Sequence, residues 1–264
     1  MFEHDLSRTV STTDSTAETT SQSRLHARFA KSEKEILAAQ TLRYNIFSQE
    51  YGAAFYDQNG APTSIDSDHY DPHCRHLMVL DGERIVGYTR LLPGAVAKKI
   101  GGFYSAHEFD IDGLVKEPHR FLEIGRTCVH PDYRNGATIA VLWSKLAEFL
   151  VESGFDYLIG CASVPLGDGG SSLNSVMPML RKNHLADKRF RVAPKVPYLT
   201  THANGSERPK MPPLLKAYMR MGAQICGEPC WDQDFNCADL FIFLDVALVA
   251  DRYAKRFLSK VVNS

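Results

Sequence analysis

No stretch of this 264-residue chain is apolar for long enough to cross a bilayer as a helix. The longest apolar run, Ala238–Ala250, is broken by Asp239 and Asp245. No charge sign dominates: the formal net charge is −1, so there is no bulk basic field to attract nucleic acid. The first residues hold no apolar core of a secretory leader, so the six cysteines are expected to be reduced thiols in the cytoplasm. Cys226, Cys230 and Cys237 are loosely spaced and lack the paired C-x-x-C signature, so no metal site is expected. No cysteine has an evident activating histidine, which disfavours a thiolate nucleophile. Internal repeats and strong linkers are also missing. What remains is 44% hydrophobic and 23% charged, the balance of a globular protein. Residues 1–24 are Ser/Thr-rich without periodicity and are expected to be a disordered tail ahead of a single domain, 25–264.

The best-patterned stretch is Phe121–Leu142. It opens with the alternation of a strand, meets the breaker His130-Pro131-Asp132-Tyr133, and changes period from Thr138. Ile139, Leu142, Trp143, Leu146 and Leu150 then mark one face of a helix that Gly154 ends. A strand, a basic Arg-Asn-Gly turn and a helix N-terminus make an anion site. Phe155–Ser163 reads as the next strand, which makes a βαβ unit and a locally parallel sheet.

Upstream, a short strand near Leu25 precedes a helix over Ser32–Ser48, with Ser32 and Glu35 as a capping box. Arg43 falls within its apolar stripe, where it either pairs with a buried carboxylate or snorkels to solvent. Gln49–Pro72 has no period; its Asp66, Asp68 and Asp71 read, taken alone, as a solvated acidic loop. His76–Leu92 is a hairpin turning at Asp81-Gly82, with Arg90 near the end of its second strand. Gly94–Glu117 is an excursion without a clear pattern.

Downstream, Pro165–Gly170 is a Gly-rich loop, read as plain loop rather than phosphate cradle, before a helix capped by Ser171 or Ser172. Arg189–Leu199 is a Pro-limited edge strand. Pro213 fits a helix start and Gly222 its end. Phe235–Val246 is the last strand. Val246–Val262 is a basic amphipathic helix that either packs on the sheet or lies on an anionic membrane surface.

Glu123, on the central strand, is a candidate general base. From the residues alone it reads first as a strand-surface carboxylate paired to Arg126 or a neighbouring lysine. The motif Val129-x-Pro131-x-Tyr133-Arg134 between strand and helix resembles motif A of the GCN5-related N-acyltransferases. Arg43 with Phe47, Asp68 with Asp71, Arg90 before two leucines, and Glu123 with Arg126 resemble, in order and spacing, the acyl-homoserine-lactone synthases. The usual Trp after the first helix is absent; Phe55 or Tyr56 stands there. Gly125–Arg134, Pro212–Ala223 and the Asp234-Phe235-Asn236…Asp239 ending resemble the ornithine-lipid N-acyltransferase branch.

The resemblance spans about Leu25 to Phe257 and implies an α/β fold, a GCN5-related N-acyltransferase-like mixed twisted sheet flanked by helices. It implies transfer of a (3-hydroxy)fatty acyl group to an amino-acid α-amine, with ornithine the expected acceptor. The donor would be the acyl-phosphopantetheine of acyl carrier protein, with no tightly bound cofactor. Glu123 would be the base, and the amides of Thr127, Cys128 and Val129 would hold the oxyanion. Arg134, Asn135, Gly136, Ala137 and Thr138 would hold the pantetheine phosphate. Arg43, Asp68, Asp71, Arg90 and Arg126 would shape the amine side of the cleft. The rivals are a lactone synthase that uses S-adenosylmethionine and a non-catalytic carrier-protein binder.

Overall fold

The computed structural model describes residues 25–116, 118–200 and 211–249. In order these form β1 (His26–Phe29), α1 (Glu33–Tyr51), β2 (Arg75–Asp81), β3 (Arg84–Pro93), α2 (Gly94–Ala97), β4 (Phe109–Asp110), α3 (Asp112–Val115) and β5 (Phe121–Val129). Then follow α4 (Ala137–Ser153), β6 (Tyr157–Pro165), α5 (Ser171–Asn183), β7 (Ala193–Pro194), α6 (Pro213–Met221), β8 (Gln224–Ile225), β9 (Cys230–Asp232) and β10 (Cys237–Asp245). The main sheet runs β1-β2-β3-β5-β6-β10-β8, with β9 also on β10. All pairs are antiparallel except β5 with β6, which α4 joins as a crossover.

Alternation assigns the two faces of the sheet. Leu77 and Val79 of β2 pack in the core that α4, α5 and α6 cover, while Met78 and Leu80 pack under α1. Tyr88, Arg90, Glu123, Ile159, Cys161, Asp239 and Phe241 share parity with the α1 face along their strands. The excursion over residues 94–116, which showed no period in sequence, is ordered. It covers this face with Phe103, Phe109, Ile111 and Leu114.

Several local expectations need adjustment. Ser32 does cap α1, its hydroxyl accepting from Glu35 N at 3.3 Å. Glu35 reaches one residue further back than a capping box does, to Lys31 N at 2.6 Å, because Arg28 holds it at 2.7 Å. The hairpin turns on Gly82-Glu83, since Asp81 already pairs with Arg84. Gly170, not Ser171 or Ser172, caps α5; the Asp168 carboxylate accepts from Gly170 N at 3.0 Å and Ser172 N at 2.8 Å. Those amides are therefore taken up within the Gly-rich loop. Of Arg189–Leu199 only Ala193–Pro194 is strand, paired with β4. A helix does start at Val246, but the expected Val246–Val262 helix lies beyond the described residues after Val249, as the expected tail lies before residue 25.

Two irregularities shape the centre of the sheet. Arg90 faces Gly125 and Tyr88 faces Cys128, so Arg126 and Thr127 together oppose Thr89. That is a β-bulge, and Arg126 takes a positive φ of 53° within it. On its other edge β5 pairs with β6 only as far as Ile124–Gly160. Gly160 permits that last close approach, because a Cβ there would collide with the Ile124 carbonyl oxygen. Beyond it the strands part.

Candidate active site

A cavity of about 320 Å³ opens where β5 and β6 part. Its wall is the free edge of β5 from Gly125 to Val129, with Glu123 and Ile124 below. Ile46 and Phe47 of α1, Leu214 of α6 and Phe235 make it largely apolar.

Glu123 is the carboxylate at its base, 4% exposed. It is held by the excursion: Oε2 accepts from Tyr104 N at 2.8 Å, and Oε1 from Ser105 N at 2.9 Å and Ser105 Oγ at 2.6 Å. Neither Arg126 nor a lysine is its partner in these bonds. Burial pushes the carboxyl pKa up, and the Ser105 and Tyr104 hydrogen bonds oppose the rise. A fixed carboxylate with a raised pKa, at the wall of a cavity, has the properties of a general base.

Arg43 does not snorkel. It is wholly buried and pairs with Asp66 at 2.8 Å and Asp71 at 2.7 Å. Asp71 also takes Arg90 at 3.0 Å, while Asp68 takes Arg90 at 2.6 Å. Arg126 lies 3.2 Å from Asp66 and 3.6 Å from Asp68. Three guanidiniums thus face three carboxylates, and the network is neutral. Asp66 and Asp71 are buried rather than solvated, and neither Asp68 nor Asp71 borders the cavity. Arg90 and Arg126 do border it. Arg126 Nε is close to Asp66, yet its N–H is not directed at a hydrogen-bond acceptor; the distance reports charge proximity and the geometry reports an unspent donor. Its guanidinium lies 4.8 Å from the Tyr104 and Phe235 ring centroids.

The residues expected around the donor are divided. Thr127, Cys128, Val129, Arg134 and Gly136 border the cavity. Asn135, Ala137 and Thr138 do not. The Asn135 side chain accepts from Ala137 N at 3.0 Å. Thr138 is buried, donates to the Tyr133 carbonyl at 3.0 Å, and fills the space above Gly87. Arg134 donates to the Val129 carbonyl at 3.0 Å and pairs with Glu50. Ile139 packs against the core and also borders the cavity.

Sequence reasoning did not single out Tyr104, Ser105, Glu108, Cys161, Ser163 or Asp232 for the site. Asp239 entered only as a break in an apolar run and as part of a motif. An aspartate inside the otherwise apolar run Cys237–Leu244 was an available signal, since such a charge needs a partner or a purpose. Among the described residues, two groups of possible ligand atoms gather within 4.8 Å: Glu108, Cys161 and Asp239, and Asp232, Cys237 and Asp239. Of Cys226, Cys230 and Cys237, only Cys237 joins one.

Comparison with known proteins agrees with this architecture. A family described as Acetyltransferase (GNAT) domain matches residues 42–144. An L-ornithine N(alpha)-acyltransferase of Agrobacterium fabrum is 36% identical over 87% of this chain and 83% of its own. That of Rhizobium meliloti is 36% identical over 87% of this chain and 82% of its own. Among solved structures, FeeM, an N-acyl amino acid synthase from uncultured soil microbes, superposes with a TM-score of 0.51 at 12% identity, over 85% of this chain and 91% of that one.

Proposed function

This chain belongs to the L-ornithine N(alpha)-acyltransferases, acyltransferases with a GNAT-type domain, and on that premise we propose that it moves a (3-hydroxy)fatty acyl group from acyl carrier protein to the α-amine of ornithine. The product is a lyso-amino-acid lipid. The observation that carries the reading is Glu123, a buried carboxylate fixed by three hydrogen bonds beside the free edge of β5.

The chemistry follows from that placement. Glu123 takes a proton from the substrate ammonium, directly or through one water. The freed nitrogen lone pair attacks the thioester carbonyl carbon. Amides of the Thr127–Val129 edge, which have no β6 partner, stabilise the oxyanion. The intermediate collapses to the amide, the C–S bond breaks, and the pantetheine thiolate leaves with the second amine proton. Arg126, which borders the cavity, takes the substrate carboxylate. Arg43, Asp68, Asp71 and Arg90 hold that side of the cleft in place.

Arg134 and the start of α4 offer charge and N–H groups to the pantetheine phosphate, after Arg134 leaves Glu50. Lys216 and Arg220 are exposed on α6, whose first turn borders the cavity, and we assign that surface to the carrier protein. No helix among the described residues is long and apolar enough to cross a membrane. The proposal places the reaction in the cytoplasm, at the membrane surface that receives the lipid.

The test is mass spectrometry of the products formed when carrier-protein thioesters are offered with a panel of amino acids, with and without S-adenosylmethionine. N-acylornithine without S-adenosylmethionine is the expected result. An acylated lactone, or no acylated amine at all, contradicts it.

A further inference from the structure

On the side of the cavity away from the arginine network stands a second group of acids. Asp239 of β10 lies opposite Ser163 of β6, and Asp232 of β9 lies opposite Cys237; Asp232, Asp239, Ser163 and Cys161 border the cavity. Glu108, from the excursion, does not border the cavity itself but stands against two residues that do. Its carboxylate, the Cys161 thiol and an Asp239 oxygen lie within 4.8 Å of one another.

Glu108 is 9% exposed, and neither of its oxygens meets a donor in hydrogen-bond geometry among the described residues, although Asp239 and the Cys161 thiol are close enough to exchange a proton with it. A buried carboxyl without a donor is costly, so such a residue calls for a missing partner. The arginines of the neighbouring network lie against Asp66, Asp68 and Asp71 and form no salt bridge with Glu108. Lys195, whose backbone meets the Glu108 carbonyl, sends its ammonium to the Ala106 carbonyl instead. Asp232 accepts from Asp234 N at 2.9 Å and Phe235 N at 3.1 Å, and Asp239 from the Cys237 thiol at 3.6 Å, so the spare acceptors of the cluster are the Glu108 oxygens and the remaining aspartate oxygens. An ammonium is the complement, with three N–H donors and no acceptor.

Cys161, Asp232 and Asp239 border the same cavity as Glu123, and Cys161 lies two residues beyond Ile159, the β6 partner of Glu123. Ornithine presents two nitrogens roughly 6 Å apart when extended, from bonds of about 1.5 Å. We propose that Glu108, Asp239 and Asp232 receive the side-chain ammonium of the amino acid whose α-amine is acylated at Glu123, and so select a short diamino acid over its neutral isosteres. This rests on the amide-forming reading above.

The experiment compares kcat/KM for ornithine and for 2-aminopentanoic acid, the same chain without the terminal amine, using one acyl carrier protein thioester. Full-length wild type, Glu108→Gln, Asp232→Asn and Asp239→Asn are assayed. Wild type is expected to favour ornithine by roughly a hundredfold, as for a site built to pair a charged group. In each variant that folds, the ratio falls at least tenfold, through KM for ornithine more than through kcat. Ser163→Lys places a tethered ammonium against Asp239 and is expected to collapse the ratio as well, which keeps the idea testable if a buried acid proves essential for folding.

An unchanged ratio in active variants overturns the inference while leaving the acyltransferase reading intact. Acylation of neither amine by wild type removes that reading and the inference with it. Stoichiometric zinc or manganese in the purified protein, lost in Asp239→Asn, overturns the ammonium assignment in favour of a metal.

Discussion

Arg43 on α1 and Asp71 ahead of β2 form a 2.7 Å ion pair almost wholly removed from water. Asp71 also accepts from Arg90 at 3.0 Å and from Gln40 at 3.2 Å, so one carboxylate ties α1 to β3. Arg43→Leu leaves Asp66 and Asp71 buried without their cation. Removing one partner of a buried pair costs about 3–5 kcal/mol. Urea unfolding is expected to show that loss; a change under about 1 kcal/mol contradicts the structural role.

The pH dependence of stability has a definite sign. Burial raises the Asp71 carboxyl pKa, but Arg43 and Arg90 overcome this and hold it well below the ordinary carboxylate range. Asp68 is lowered likewise, chiefly by Arg90 against its own burial. A lowered carboxyl contributes stability that is complete above its unfolded pKa of about 3.9 and is lost as pH falls through its folded value. Wild type is therefore expected to lose stability from about pH 5 downward. Asp71→Asn starts lower at neutral pH and shows a shallower acid slope. Parallel slopes contradict the assignment.

Glu108 has the opposite sign. Burial, then the neighbouring Asp239, pushes its pKa up to about 11. A raised carboxyl costs stability progressively as pH climbs above its unfolded pKa of about 4.3. Without ligand, Glu108→Gln is expected to melt higher than wild type at pH 8, with the gap closing toward pH 4. A variant that melts lower at pH 8 contradicts the unpaired state of this carboxyl.

Acyl carrier protein thioesters are expected to outperform acyl-coenzyme A by at least about tenfold in kcat/KM. After Arg134 the chain reads Asn135-Gly136-Ala137-Thr138-Ile139, without the small residues that let consecutive amides close around a pyrophosphate. Ala137 N is already taken by Asn135, and Thr138 is turned into the core. What remains suits a single phosphate. Equal values for one acyl chain on both carriers contradict this.

Much of the fold was legible because it rests on local rules. Ser32, Gly154, Pro213 and Gly222 mark helix ends, and the switch of period after Val129 marks the central crossover. The charged residues of the arginine network were legible one by one. Their pairing was not, because Asp66 and Asp71 sit in a loop whose sequence carries no period and whose burial depends on α1 folding over it. Tyr104 and Ser105 escaped notice for a related reason. Both act through backbone N–H groups, which no side-chain pattern reveals, and the Ser105 hydroxyl that joins them sits in a stretch without a period. Asp239 stood in plain view within an apolar strand, but its meaning depends on Glu108, far off in sequence.

The central claim, that Glu123 is the base, is tested most directly by Glu123→Gln, read as kcat across pH in a variant shown by its melting curve to be folded. The substitution keeps an acceptor for Ser105 but turns an amide toward a backbone N–H, so the folding control is part of the measurement. Loss of a positioned base is expected to lower kcat by roughly a hundredfold or more and to abolish the limb of the pH–rate profile that reports its ionisation. Turnover like wild type, with the same pH profile, in folded Glu123→Gln protein contradicts the account.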